Sequence, residues 1–122
     1  MSIGRIQSGR AGEDYAAAFL TRRGYRILER NFRNILGEVD IIADHKGTLC
    51  FIEVKTRFTD SFGSPLEAVT RSKQKKLARV AESYLKFKRM NGRKARFDVV
   101  AVALERENCM SIEVVPNAFE IM

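Results

Sequence analysis

The sequence predicts an α/β fold, one domain over residues 1–122, with elements in the order α-β-β-β-α-β-β. Three observations carry this. Apolar residues recur at helical spacing in two segments, while β-branched and aromatic runs of strand length fill the stretches between and after them. The middle hairpin carries large apolar residues on both faces, as in a sheet covered on both sides. A chain of 122 residues, 45% hydrophobic and 30% charged, suits one core.

The first helix is predicted to start with Ser8 as N-cap. Ala11, Tyr15, Ala18 and Phe19 form its apolar stripe, and Gly24 stops it after Arg22 and Arg23. Tyr25 to Arg33 is mixed in polarity and reads as an edge strand. Val39 to Ala43 and Leu49 to Val54 read as a hairpin joined by the turn Asp44-His45-Lys46-Gly47. Phe58 to Gly63 is a loop. Ser64-Pro65-Leu66-Glu67 is a helix start, with Ser at N-cap, Pro at N1 and Glu at N3. That helix is expected to run to Met90 and close near Asn91-Gly92, with Leu66, Val69, Leu77, Val80 and Tyr84 as its core stripe. Phe97 to Leu104, broken only by Asp98, reads as a central strand, and Ser111 to Val115 as a last short strand.

Charge is concentrated. Between Arg71 and Arg96 there are eleven Lys or Arg and one acid, Glu82, so this window carries +10 and the rest −3, for a total of +7. Such a basic face is the footprint of a polyanion partner, or a solvated helix surface. Arg71, Lys75, Arg79, Lys86 and Arg89 fall on its outer side, as phosphate contacts or plain surface. No base-reading motif is present. Cys50 and Cys109 lie far apart in apolar runs and read as reduced, buried thiols, and with His45 the single histidine a His/Cys zinc site is excluded. No apolar run nears the roughly 18 residues of a membrane span, and the N-terminus lacks the apolar core of a signal peptide, so no membrane association and a cytoplasmic location are expected.

The chemistry gathers on the hairpin. Strand alternation puts Glu38, Asp40 and Ile42 on one face, and Leu49, Phe51, Glu53 and Lys55 on one face of the next strand. Val39, Ile41, Ala43, Cys50, Ile52 and Val54 make the opposite face. A four-residue turn would set Asp40 beside Phe51 and Glu38 opposite Glu53. Three carboxylates and a lysine at one end of a covered sheet are costly unless paired or bound to a metal. Mg²⁺ favours such oxygen ligands. A salt-bridged, solvent-facing hairpin end with Lys55 on Glu53 fits the same pattern. Glu13 lies in line with Ala16 and Leu20, where it can lean toward the sheet or serve the helix dipole. Lys73 falls inside the apolar stripe of the long helix, beside Gln74. It either snorkels or reaches the carboxylate end.

Val39-Asp40-Ile41-Ile42 followed by Glu53-Val54-Lys55 resembles the D…(D/E)xK signature of the restriction-endonuclease-like, PD-(D/E)xK, superfamily. With Gly12-Glu13-Asp14-Tyr15-Ala16 and Gly37-Glu38-Val39-Asp40, the chain resembles the YraN-like family of small bacterial proteins over about Gly9 to Val115. The fold of that family is similar to that of archaeal Holliday-junction resolvases. The resemblance implies a restriction-endonuclease-like mixed central sheet flanked by helices. It implies that Asp40, Glu53 and the Val54 carbonyl bind Mg²⁺ (or Mn²⁺) and that Lys55 acts on the nucleophilic water. It matches Glu13 to a helix carboxylate, leaves Glu38 as a further candidate, and supports a phosphate role for Lys73 and Gln74. It also suggests a homodimer. The expected function is metal-dependent endonuclease cleavage of DNA, branched or structured DNA included. The alternatives are a non-catalytic nucleic-acid-binding module on the same fold, or a factor whose basic helix meets an acidic protein.

Overall fold

The computed structural model describes residues 3–58, 69–106 and 108–120, with side chains from Arg10 onward. The elements follow the predicted order: α1 (Ile3–Arg22), β1 (Arg26–Asn34), β2 (Gly37–His45), β3 (Thr48–Phe58), α2 (Arg71–Phe87), β4 (Ala95–Glu105) and β5 (Asn108–Phe119). The strands form one mixed sheet in the order β1-β2-β3-β4-β5. Only β3 and β4 are parallel, joined by a crossover that contains α2.

Each helix covers one face of the sheet. Ala16 and Leu20 pack with Ile41, Ala43, Cys50, Ile52, Val100 and Val102 in one layer. Leu77, Val80, Ala81 and Tyr84 pack with Ile42, Leu49, Phe51 and Val99 in the other. The expected alternation on β2 and β3 holds, except that Val39 joins the α2 layer instead of the Ile41 side. The paired β2–β3 register runs from His45–Thr48 only to Ile41–Ile52, so Val39 lies beyond the regular ladder.

Expectations for α1, the β2–β3 turn and the end of α2 are corrected. Helix α1 begins at Ile3, which places Ser8 inside it and not at its cap. Its buried face is Gly12, Ala16 and Leu20, while Tyr15 and Ala18 face outward. The reason is packing distance: a Cβ at Gly12 would overlap the Thr56 side chain of β3, so the small-residue stripe lets the helix approach. The β2–β3 connection is a two-residue turn at Lys46 and Gly47, both with positive φ, as a type I′ hairpin requires. Finally, α2 ends at Phe87 with Lys88 as C-cap and Arg89 left-handed beyond it (φ 56°): the Arg89 N–H donates to the Lys86 carbonyl and the Met90 N–H to the Leu85 carbonyl, which stops the helix before Asn91-Gly92.

Helix α2 is capped by Thr70, whose hydroxyl accepts from the Lys73 N–H. The loop expected over Phe58 to Gly63 lies, apart from Phe58 itself, outside the described residues, as do Ser64-Pro65-Leu66-Glu67 and the core position of Leu66; but Val69 and the extended Thr70 are not helical, so the continuous helix expected from Ser64 to Met90 is corrected to one that starts at Arg71. Strand β5 is longer than expected and crosses Pro116, which an edge strand tolerates. The Asn117 N–H, freed by the bulge there, donates to buried Asp98, which also accepts from Tyr25 and Arg96.

Candidate functional site

The extra tightness of the hairpin turn shifts the β2–β3 register by two residues relative to a four-residue turn. Ile42 pairs with Phe51 and Ile41 with Ile52, where the β2–β3 ladder ends, and just beyond it the Asp40 carboxyl faces that of Glu53. Faces are preserved by a two-residue shift, but neighbours are not. Asp40 is thus the partner of Glu53 and no longer of Phe51. Glu38 moves out of reach of that position: it is exposed and pairs with Arg33 of β1, Arg33 Nη2 donating to Oε2 at 2.8 Å.

At this point the ladder opens. The Val54 N–H donates to Asp40 Oδ2 at 2.8 Å, so the carboxylate is tied to β3 through its backbone. Burial, reinforced by the facing Glu53 carboxyl, pushes the Asp40 carboxyl up to about 8, against the pull of the Val54 N–H. Lys55 Nζ lies 3.5 Å from Glu53 Oε2, with both side chains mostly buried.

A cleft of about 560 Å³ opens over these groups. Glu13 of α1 enters it from one side, and Lys73 and Lys76 of α2 from the other, so both helices contribute to one site at the end of the sheet. Gly12 sets the approach of α1 at Thr56, and Thr56 also lines the cleft. Burial raises the Glu13 carboxyl above its ordinary value, opposed by a hydrogen bond with Asn31 and by Arg30. The Lys73 ammonium is lowered chiefly by the neighbouring like charge of Lys55; Glu53 and Asp40 act the other way.

The structure therefore brings together Glu13, Asp40, Glu53, Val54, Lys55 and Lys73, with Glu38 on the rim. Gln74 does other work: its amide donates to the Val69 carbonyl at 3.0 Å, at the start of α2. Arg71, Lys75 and Arg79 are exposed on α2 and lie outside the cleft lining. Lys76 and Thr56 line the cleft and were not singled out in the sequence. The signal for Lys76 was its position one turn from Lys73, on the flank next to Leu77. Nothing short of the Gly12–Thr56 contact marks Thr56.

Among the described residues, no three acids, histidines or cysteines form a ready metal cage. What the cleft offers a cation is the two facing carboxylates of Asp40 and Glu53. That chemistry suits a hard cation, because two acids so placed repel and Lys55 offsets one charge only.

The sequence profile of the Uncharacterised protein family UPF0102 matches residues 12–102, a span that takes in α1 from Gly12 and every residue of the cleft. The chain belongs to the UPF0102 family. It is similar to the UPF0102 protein of Syntrophus aciditrophicus, 47% identical over 95% of this chain and 91% of the relative. It is likewise similar to that of Desulfosudis oleivorans, 50% identical over 95% and 92%. The UPF0102 protein of Moorella thermoacetica is 48% identical over 98% of this chain and all of its own length. The resemblance of the whole chain to the YraN-like, UPF0102 group thus holds. Among the described residues, no helix of this UPF0102 protein is long and apolar enough to cross a membrane.

Proposed function

We propose that this UPF0102 protein is a metal-dependent endonuclease of the restriction-endonuclease-like kind, acting on DNA. The observation that carries the reading is the facing of the Asp40 and Glu53 carboxyls just past the end of the β2–β3 ladder, with Lys55 and Lys73 in the same cleft.

Asp40, Glu53 and the Val54 carbonyl would hold Mg²⁺ (or Mn²⁺). The ion, when bound, would polarise the phosphoryl group and lower the pKa of a water. The protein's own groups do the rest. The Val54 N–H fixes Asp40 in place. Lys55, beside Glu53, is positioned to orient the attacking water or to hold charge developing on the phosphate. Lys73 and Lys76 offset the negative charge of a phosphodiester entering the cleft. Glu13 is a carboxyl of raised proton affinity on the opposite wall.

The test is cleavage of labelled branched, nicked, single-stranded and duplex DNA with Mg²⁺ and Mn²⁺. Asp40→Asn and Lys55→Ala are each expected to lower the rate by roughly 100-fold or more. Cutting equal to that of Asp40→Asn overturns the reading. One observation favours a non-catalytic binding module instead: Lys55 already pairs Glu53 without a metal. DNA binding unchanged by EDTA and by Lys55→Ala, with no cutting, would establish that alternative.

A further inference from the structure

The β1–β2 connection breaks the usual chemistry of a hairpin turn. Between Asn34 and Gly37, which pair across the strands, stand Ile35 and Leu36, where turns ordinarily select Gly, Asn or Asp. Ile35 is 101% exposed and Leu36 43%. This tip is held firmly. The Leu36 N–H donates to Asn34 Oδ1 at 2.8 Å, Asn34 Nδ2 donates to Ser83 Oγ of α2 at 3.0 Å, and Ser83 Oγ donates to the Val80 carbonyl. Two aliphatic side chains are therefore presented to water on an anchored turn, with nothing in the fold requiring them there.

The tip is continuous with the acid cleft. A hollow of about 500 Å³ is lined by Arg33, Leu36, Gly37, Glu38 and Lys76, and the last three also line the cleft. Lys76 puts a cation in the same hollow as the apolar residues, where Arg33 is paired with Glu38. The shared lining makes the tip the neighbour of whatever lies in the cleft.

We infer that Ile35 and Leu36 form an apolar wedge against the bases beside the phosphate in the cleft, which assigns the site to DNA at a boundary between paired and unpaired strands. Apolar side chains of this kind part base steps, and parting is least costly where pairing already ends. Two aliphatic side chains fall far short of the roughly 800 Å² per partner that a stable protein interface buries, which disfavours a second copy of the chain as the occupant. Lys76, which lines both the hollow and the cleft, favours a polyanion running from one to the other over an apolar protein surface. The inference rests on the nuclease reading only in that DNA lies in the cleft.

The test uses a forked DNA with 2-aminopurine at the fork, bound in Ca²⁺, and compares the full chain with the double variant Ile35→Ser/Leu36→Ser and with Ile35→Phe. The native chain and Ile35→Phe are expected to raise the fluorescence several-fold. The serine variant should bind within about threefold of native affinity and leave the fluorescence low. In Mg²⁺, its cutting of the fork should fall at least tenfold further than its cutting of single strands. A full fluorescence rise with the serine variant, or equal losses on both substrates, overturns the wedge. A native dimer dispersed by the serine variant in light scattering also overturns it. Failure of the nuclease reading looks different: native cutting equals that of Asp40→Asn, while the fluorescence experiment, which needs binding alone, still decides the wedge. If the native chain binds no DNA, both fall.

Discussion

Asp40 is the residue on which the site turns. Its carboxyl is held above the ordinary range by burial and by Glu53, so the folded chain binds this proton more tightly than the unfolded one. The sign follows from linkage: the native state carries the extra proton between about pH 4 and pH 8, so without metal this group costs stability as pH rises through that window. Asp40→Asn is expected to be near neutral for the metal-free protein at pH 4 and increasingly stabilising relative to the native chain as pH rises to 9, read by guanidinium unfolding. Adding Mg²⁺ should raise Tm more at pH 8.5 than at pH 5.5 in the native chain, because the ion competes with the proton. A Tm gain kept in full by Asp40→Asn would show that the ion binds elsewhere. Asp40, Glu53 and Lys55 were legible as chemistry in the sequence because strand alternation assigns faces without any knowledge of partners. Glu38, singled out on the same face, lines the cleft but pairs at its exposed rim with Arg33 of the neighbouring strand, a partner that strand alternation alone does not name.

At the scale of elements, errors arose where geometry was set by a contact distant in sequence. The stripe of α1 was read from bulk, through Tyr15 and Phe19, but the face that packs is Gly12, Ala16 and Leu20. The deciding contact is with Thr56, 44 positions away, and only its presence makes the glycine informative. Gly12→Ala is accordingly expected to cost about 1–3 kcal/mol, since a methyl there must displace the Thr56 hydroxyl or the helix. Gly12→Ala with Thr56→Ala should recover more than half of that loss in the same unfolding experiment; no recovery would mean that the close approach is not the cause. The hairpin shows a smaller failure of the same kind. Asp44 to Gly47 contains good turn residues, but the turn tightens onto Lys46-Gly47, and a lysine at positive φ has no strong sequence signature. That two-residue difference decides whether Asp40 meets Phe51 or Glu53.

At the scale of the molecule, the charge distribution read from the sequence and the cleft found in the fold meet on α2. The basic helix presents Lys73 and Lys76 to the acids, while Arg71, Lys75 and Arg79 extend the positive surface beyond them. Salt dependence separates these roles. If both cleft lysines meet phosphates, Lys73→Ala and Lys76→Ala should each reduce the slope of log K against log salt by about 1, and weaken binding evenly across DNA sequences. An unchanged slope for Lys76→Ala would remove it from the phosphate path. Asp98 shows the opposite case, a charged residue inside an apolar strand with a structural explanation. It is fully buried and accepts from Tyr25, Arg96 and the Asn117 N–H, which fastens β4 to β5 and to the start of β1.

The sequence by itself determined the element order, the two-sided sheet, the facing of Asp40, Glu53 and Lys55, and the basic α2, because these depend on local periodicity and on charge counts. It also carried the family resemblance, through motifs that are contiguous in the chain. Only the tertiary structure decided which acid meets which, how near α1 comes to β3, that Lys76 and Thr56 line the cleft, and that Ile35 and Leu36 stand beside it. Those are set by register and by distances between elements remote in sequence, where a shift of two residues or one absent methyl group changes the neighbour without changing the pattern.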